Sequence, residues 1–327
     1  MTMDPPARGA REAHDTRAHP PDRIEQFRAD IAASPAAMAD LLTGTLPSPI
    51  ARERSICFAG LGSSRFAADI VAGTLRSAGR RAWSELASGA ARTSPAPDLT
   101  FVAVSASGGT PEVIEAARRH RGTSHVIAVT NRPTSALAEV ADEVVPLLAG
   151  IESSGIAARS FRATIAVLAL LGGTSAAALG RLPAALAARL PASTAWAGEA
   201  ADAIDGAPAI DVLADGALLG LAEQAALMLR EGPRLPAHAT ETADWLHVGV
   251  YLAWPGHVVL RYPGSAADDG LDQVAGARGV RLVSAPPLPD DAADPMTRAI
   301  LASLDAELLA AEAWSRVSAT MRDDKVP

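Results

Sequence analysis

The chain has 327 residues, of which 49% are hydrophobic, so it can bury a sizeable core in one large or two ordinary domains. Its formal net charge of -8 at pH 7 argues against nucleic acid as the main partner. Residues 1–22 are polar, lack the apolar run of a signal peptide and are interpreted as a disordered tail. The longest apolar run, residues 163–173, is too short to cross a bilayer, so we expect no membrane association.

A single cysteine, Cys57, lies in an apolar stretch that is typical of a buried core. One cysteine cannot form an internal disulfide, so we expect a reducing, cytoplasmic compartment. The histidines show no metal-ligand spacing with cysteine or carboxylates. The glycine turn at 60–62 lacks the third glycine of a dinucleotide fingerprint, because Arg65 stands in its place. We therefore predict neither a metal nor another cofactor.

Strand and helix patterns alternate along the first half of the chain. This alternation predicts a doubly wound parallel sheet with helices on both faces. The predicted elements are a lead-in helix at 23–42, a strand at 55–59, a helix at 63–78, a short strand at 81–83, a strand at 99–104, a helix at 110–120, a strand at 125–130, a short helix at 134–140 and a strand at 143–147.

The second half repeats this plan after a stretch rich in glycine, alanine and proline. Its predicted elements are helices at 183–190 and 195–204, a strand at 210–213, a helix at 218–230, a strand at 257–261, a helix at 267–276, a strand at 281–283 and a closing helical segment at 294–322. Two similar halves suggest an internal duplication. We expect an α/β protein with two flavodoxin-like, three-layer α/β/α subdomains, at 23–190 and 191–327.

One strand-to-helix turn carries the clearest chemical signal. It is the run Ser105-Ala106-Ser107-Gly108-Gly109-Thr110, which follows the strand at 99–104. Free backbone N–H groups and the helix dipole favour an anion at such a turn, and small hydroxyl side chains add donors without blocking the approach. The turn predicts a phosphorylated small-molecule ligand; the alternative is a plain helix cap.

Four further stretches fall in a fixed order around this turn. They are Gly60-Leu61-Gly62-Ser63-Ser64, Thr130-Asn131, Ala149-Gly150-Ile151-Glu152, and Glu231 followed by Ala243-Asp244-Trp245-Leu246-His247. Together with the 105–110 turn they resemble the SIS (sugar isomerase) family, in particular the isomerase half of glucosamine-6-phosphate synthase and stand-alone phosphosugar isomerases. The resemblance covers roughly residues 40–325.

The resemblance implies a site for a sugar phosphate or amino-sugar phosphate and a homodimer. The residues expected to bind the phosphate are Ser63, Ser64, Ser105, Ser107, Gly108, Gly109 and Thr110. For Ser63 and Ser64, simple capping of a helix is the alternative. Glu152 is expected either to bind sugar hydroxyls or to cap the following helix.

Asp244 and His247 fall on one face of an expected helix. Interconverting an aldose and a ketose needs a base that moves a proton between neighbouring carbons, and an acid/base that opens the ring. We expect Asp244 to act as the base, a role that burial would favour, and His247 to assist ring opening. Glu241 is a rival base, and His238 and Glu231 are weaker candidates. The alternative is a solvated aspartate and a core histidine.

Several positions depart from the family's pattern. Ala106 and Gly109 stand where the phosphate loop usually has glutamine and glutamate, and Ala157 and Ala158 replace a Ser-Thr pair. The residues around Lys325, the only lysine, do not match the synthase's catalytic tail, so the Schiff-base lysine of the synthase has no clear counterpart. The favoured activity is aldose–ketose isomerisation, or deamination with isomerisation. The alternatives are a synthase-like aminotransferase or deglycase without a glutaminase domain, and a non-catalytic sugar-phosphate sensor.

Overall fold

The computed structural model describes residues 21–323, apart from residues 91, 290, 291 and 293. Most of the expected tail and Lys325 therefore lie outside the described residues. The elements of the first half are α1 (Pro21–Ala32), α2 (Ser34–Thr43), β1 (Ser55–Gly60), α3 (Ser63–Ser77), β2 (Ala82–Leu86), β3 (Leu99–Val104), α4 (Pro111–His120), β4 (His125–Thr130), β5 (Glu143–Pro146), α5 (Arg159–Gly172) and α6 (Ala176–Leu179).

A long helix leads from the first half into the second. The remaining elements are α7 (Leu182–Ile204), β6 (Ile210–Ala214), α8 (Leu219–Glu231), β7 (Ala237–Glu241), α9 (Thr242–His247), β8 (Val258–Arg261), α10 (Asp268–Arg278), β9 (Arg281–Ser284) and α11 (Pro295–Asp323). No helix in the described part of the chain combines the length and the apolarity needed to span a membrane.

The two sheets have the same strand arrangement. The first has five parallel strands in the order β2-β1-β3-β4-β5, and the second has four parallel strands in the order β7-β6-β8-β9. Strands β6, β7, β8 and β9 thus correspond to β1, β2, β3 and β4. The expected fold of two α/β halves with parallel sheets is confirmed.

Alternate residues of the central strands face two different cores, because successive side chains of a strand point to opposite faces. In β3, Val102 and Val104 face a core shared by the two halves, whereas Phe101 and Ala103 face a core closed by α4. Burial on both faces explains why these strands are continuous apolar runs rather than alternating ones.

The second sheet shares the same central core. Leu260 of β8 belongs to that core, whereas Val259 packs on the outer face with Trp245 of α9. Helices α3 and α8 meet closely within the shared core. A Cβ atom on Gly220 of α8 would overlap the carbonyl oxygen of Phe66 in α3, so glycine is required at that crossing.

Several predicted elements are wrong in detail. The lead-in helix is two helices that break at Ala33, because Pro35 belongs in a first helical turn and cannot continue a helix. The predicted helix at 134–140 is only a 3-10 turn at Ala138–Val140. The amide of Leu137 bonds the carbonyl of Gly108 at 3.0 Å, which draws that segment onto the 105–110 turn.

The two helices predicted at 183–190 and 195–204 form the single helix α7, with Pro191 inside it. Asp305 of α11 accepts hydrogen bonds from Arg189 and Ser193, on either side of that proline, and this tertiary contact outweighs the local preference for a break. The expected boundary between residues 190 and 191 falls within α7 and stays a prediction. Strand β7 has no counterpart among the predicted elements.

Candidate functional site

The 105–110 turn lies at the carboxyl end of β3, where ligands bind in open parallel sheets. The Ser105 hydroxyl lies 2.9 Å from that of Thr110 and 3.4 Å from that of Ser107. It also accepts the Gly108 amide at 3.1 Å, and the Ser107 hydroxyl accepts the Gly109 amide at 3.3 Å. The predicted phosphate-binding residues of this turn are therefore brought together, with Ser107 and Gly109 exposed at its outer side.

The start of α4 does not have the geometry of a capping turn, which is the alternative interpretation of this motif. Thr110 is the N-cap residue, yet its side chain caps no amide of α4. Pro111 occupies the first turn, where its missing N–H is tolerated. Amides near a helix start that no side chain accepts are suited to a bound anion.

Gly108 is required by the backbone of the turn. Its φ of 62° lies in the left-handed region, which favours glycine. A Cβ atom there would overlap the side chain of Ser135 and would lie 2.9 Å from Thr130 Oγ1. The Ser135 hydroxyl is buried without a hydrogen-bond partner among the described residues, and the sequence did not single it out.

The ends of β4 and β5 extend the turn into a wall. Asn131 donates its amide to the carbonyl of Ala106 at 3.0 Å. Its side chain donates to the Gly150 carbonyl at 2.6 Å and accepts the Ala149 amide at 3.1 Å. Thr130-Asn131 and Ala149-Gly150 thus border the 105–110 turn.

Glu152 follows this wall, and its carboxylate caps α5. One oxygen accepts the amides of Ala158 at 2.7 Å and Ser160 at 3.0 Å, and the other accepts the Ser160 hydroxyl at 2.6 Å. This geometry is that of the helix cap, one of the two roles expected for Glu152. Its contact with a sugar stays a prediction.

Ser63 and Ser64 begin α3 at the carboxyl end of β1 and are both half-buried. Neither hydroxyl has a hydrogen-bond partner in the part of the chain that the structure describes, so both stay available to a ligand. Arg65, next along the chain, forms ion pairs with Asp69 of α3 and with Glu223 of α8. Burial raises the pKa of Glu223, against the lowering effect of the Arg65 guanidinium.

Asp244 and His247 lie on α9, which confirms the predicted helix, but both are exposed. The single chain does not bury the Asp244 side chain. Glu241 is the N-cap residue of α9, and its carboxylate accepts the Asp244 amide at 2.8 Å. Among the described residues, the side chains of Asp244 and His247 have no hydrogen-bond or ion-pair partner, and α9 packs on the outer face of the second sheet.

The second half has its own version of the 105–110 turn, because β8 corresponds to β3 and leads into α10 through residues 262–267. There the Gly264 amide donates to the carboxylate of Asp268 at 2.8 Å, and the Ala267 amide donates to the Ser265 hydroxyl at 3.2 Å. A carboxylate of the chain itself thus takes the place that an anion would occupy. Only the turn in the first half is open.

The fold defines a duplicated α/β protein with an open turn, at 105–110, in its first half. The profile of the SIS domain, the family that the sequence resembles, matches residues 49–172 of this chain. No curated protein sequence matches the chain. The described residues contain no group of three or more His, Cys, Asp and Glu side chains that could hold a metal ion.

Solved structures share the fold over almost the whole chain. The C-terminal domain of glucosamine-fructose-6-phosphate aminotransferase from Francisella tularensis superposes with a TM-score of 0.77 at 18% identity, covering 94% of this chain and 98% of that one. Glucosamine-6-phosphate deaminase from Thermotoga maritima superposes with a TM-score of 0.74 at 16% identity, covering 89% of this chain and 95% of that one. Tagatose-6-phosphate ketose/aldose isomerase from Escherichia coli superposes with a TM-score of 0.70 at 18% identity, covering 92% of this chain and 95% of that one.

Proposed function

We propose that this chain is a phosphosugar isomerase that interconverts an aldose and a ketose by proton transfer, or couples that step to deamination of an amino-sugar phosphate. The observation that carries the proposal is the open 105–110 turn, where hydroxyl groups and backbone amides converge at the carboxyl end of β3. The SIS domain and the fold shared with isomerases and a deaminase support the same class of ligand.

In this proposal the 105–110 turn is the phosphate turn: the phosphate lies against Ser105, Ser107 and Thr110 and the amides of Gly108 and Gly109. Charge-assisted hydrogen bonds from hydroxyls and amides hold a phosphate well without a metal ion. On binding, the phosphate oxygens replace the bonds that the hydroxyls now make with one another and with the amides of Gly108 and Gly109. Ser63 and Ser64 offer further free hydroxyls from the neighbouring turn.

Proton transfer is assigned to Asp244 or Glu241, and ring opening to His247. Because α9 lies on the outer face of the second sheet and its Asp244 and His247 are exposed, we propose that it serves the 105–110 turn of a second copy in a homodimer. The segment after α9 supports this arrangement. It exposes Val248 (61%), Tyr251 (78%) and Leu252 (64%), an apolar surface suited to burial between subunits.

A non-catalytic sugar-phosphate sensor is the second candidate. Two observations favour it: Ala157 and Ala158 offer no hydroxyl groups to a sugar, and the Glu152 carboxylate is already engaged as a helix cap. A synthase-like aminotransferase or deglycase would need an amine nucleophile, and Lys325, the only lysine, lies outside the described residues.

A panel of hexose and hexosamine 6-phosphates tests the proposal, with binding followed by thermal shift and turnover followed by NMR. We expect binding and conversion of at least one member. The double variant Ser105→Ala/Ser107→Ala should lose binding, whereas Ser265→Ala, in the corresponding turn of the second half, should retain it. Binding without turnover of any member would favour the sensor. Unchanged binding by the double variant would exclude the 105–110 turn as the site.

A further inference from the structure

A buried carboxylate of helix α1 is hydrogen-bonded to residues 153–159, which follow the wall beside the phosphate turn. Asp30 is only 5% exposed. Its carboxylate accepts the Ser154 hydroxyl at 2.8 Å, the Ser154 amide at 3.1 Å, the Ser153 amide at 3.4 Å and the Arg159 guanidinium at 2.9 Å. A carboxylate so nearly removed from water needs such donors, and it fixes the groups that supply them.

Arg23, on the same helix, holds the other side of this peptide. Its guanidinium donates to the Ser154 carbonyl at 3.1 and 2.9 Å. Both the amide and the carbonyl of Ser154 are therefore bonded to α1. The position of the loop that follows Glu152 depends on a helix more than 120 residues earlier in the sequence.

The contacts continue from Asp30 to the phosphate turn. Arg159 donates to the carbonyl of Ile151 as well as to Asp30. The carbonyl of the preceding residue, Gly150, accepts Asn131, which is bonded to Ala106 in the turn. Two consecutive carbonyls are thus fixed from opposite sides, one by the phosphate turn and one by the Arg159–Asp30 pair.

Gly150 makes this arrangement possible. Its φ of 70° favours glycine, and a Cβ atom there would lie 3.1 Å from the Arg159 guanidinium. The backbone at 150 therefore lies directly against Arg159. A change in the Arg159 side chain should therefore shift the Gly150 carbonyl and the Asn131 side chain that donates to it.

We propose that Asp30 is a positioning residue of the sugar site. Acting through Arg159 and Ser154, it holds residues 149–158 at the distance from the 105–110 turn that suits the sugar of a bound sugar phosphate. The inference rests on the proposed function, because it assumes that a sugar extends from the phosphate turn along this wall. Its specific consequence is that Asp30 affects affinity for the sugar and not affinity for the phosphate group.

The test compares affinities for fructose 6-phosphate and for inorganic phosphate, measured by calorimetry on the full chain. Asp30→Asn should weaken fructose 6-phosphate binding about tenfold, as expected for loss of a charged hydrogen-bond partner, and leave inorganic phosphate binding within about twofold. Glu25→Gln, an exposed site on α1, is the matched control and should change neither affinity. A merely structural role would lower the two affinities together or leave both unchanged.

Arg159→Gln provides a second variant if Asp30→Asn does not fold, and the same selective loss is expected. The inference would be overturned if the ratio of the affinity for fructose 6-phosphate to the affinity for inorganic phosphate were the same in wild type and variant. If the wild-type chain itself binds fructose 6-phosphate no more tightly than inorganic phosphate, and the same holds for glucosamine 6-phosphate, the proposed function fails instead. The two failures are therefore distinguishable.

Discussion

Arg162 of α5 and Glu307 of α11 form a bidentate ion pair, with both N–O distances at 2.8 Å and side-chain exposures of 1% and 0%. Ser303 and Ser34 accept further hydrogen bonds from the guanidinium. The pair joins a helix of the first half to the last helix of the chain. Charges buried this deeply are tolerated only because each satisfies the other.

Removing one partner of this pair should destabilise the protein strongly. Glu307→Leu leaves Arg162 buried without its counter-charge and should cost about 3–5 kcal/mol of unfolding free energy. The double variant Arg162→Met/Glu307→Leu should lose less, because no charge stays buried. Urea denaturation measures the free energy of unfolding of both variants. The control is Glu115→Gln, which removes one partner of an exposed ion pair with Arg118; its free energy of unfolding should stay within about 1 kcal/mol of wild type. A double variant less stable than the single one would contradict this account.

Two adjacent glycines of the phosphate turn should respond differently to alanine. Gly108→Ala places a side chain at a positive φ and against Ser135, and should cost at least about 2 kcal/mol of stability. In Gly109→Ala the new Cβ atom would meet only Ser107 Oγ, at 3.9 Å, so stability should stay within about 0.5 kcal/mol. Thermal and urea denaturation of both variants decide the matter; equal losses would mean that the turn has another conformation in solution.

The chain should bind one sugar phosphate per copy. The Gly264 amide, in the turn that corresponds to the phosphate turn, is bonded to Asp268, and this carboxylate repels a second anion. Titration calorimetry with a ligand from the hexose 6-phosphate panel should give a stoichiometry near one. The variant Ser105→Ala/Ser107→Ala should show no residual site, and a stoichiometry of two would refute the assignment of a closed second turn.

His120 should make the protein sensitive to mild acid. Its ring is buried, stacks on Phe101 with centroids 3.8 Å apart and lies 3.1 Å from the Ser124 hydroxyl. Burial lowers the pKa of His120 in the folded state. The unfolded chain therefore binds this proton first, and stability falls as the pH drops through about 6.5 toward the lower folded pKa.

The variant His120→Phe keeps the aromatic stack but cannot take up a proton. Its urea midpoint should change less between pH 7.5 and pH 5.5 than that of wild type. His238→Gln, at an exposed position, should retain the wild-type pH dependence. Parallel pH profiles for wild type and His120→Phe would show that His120 does not contribute to acid sensitivity.

If α9 serves the phosphate turn of a second copy, two inactive variants should restore activity when mixed. Ser105→Ala/Ser107→Ala lacks the phosphate grip, and His247→Gln lacks the ring-opening group. Each hybrid dimer contains one intact site, so a one-to-one mixture refolded together should recover about a quarter of wild-type turnover. The separately refolded variants are the controls. A mixture as inactive as either variant would show that α9 does not serve the 105–110 turn of a second copy.

Local patterns predicted the parts of the molecule that depend on local forces. Local sequence patterns were enough to predict the strand at 99–104, the turn at 105–110 and the order of the family motifs. Strand burial and turn chemistry depend on residues that are adjacent in the sequence. The contacts of Asp30 with Ser154 and of Arg65 with Glu223 join residues that are far apart in the chain. No local sequence pattern predicts such contacts. The exposure of Asp244 likewise depends on where the second sheet places α9.

Pro191 shows how such a distant contact can reverse a local preference. A proline in the middle of α7 would ordinarily end the helix, and Asp305 holds the turns on both sides of it together. A single continuous helix therefore leads from the first half into the second. The protein should therefore unfold in a single cooperative transition, and a cut at residue 190 should not release two independently folding pieces.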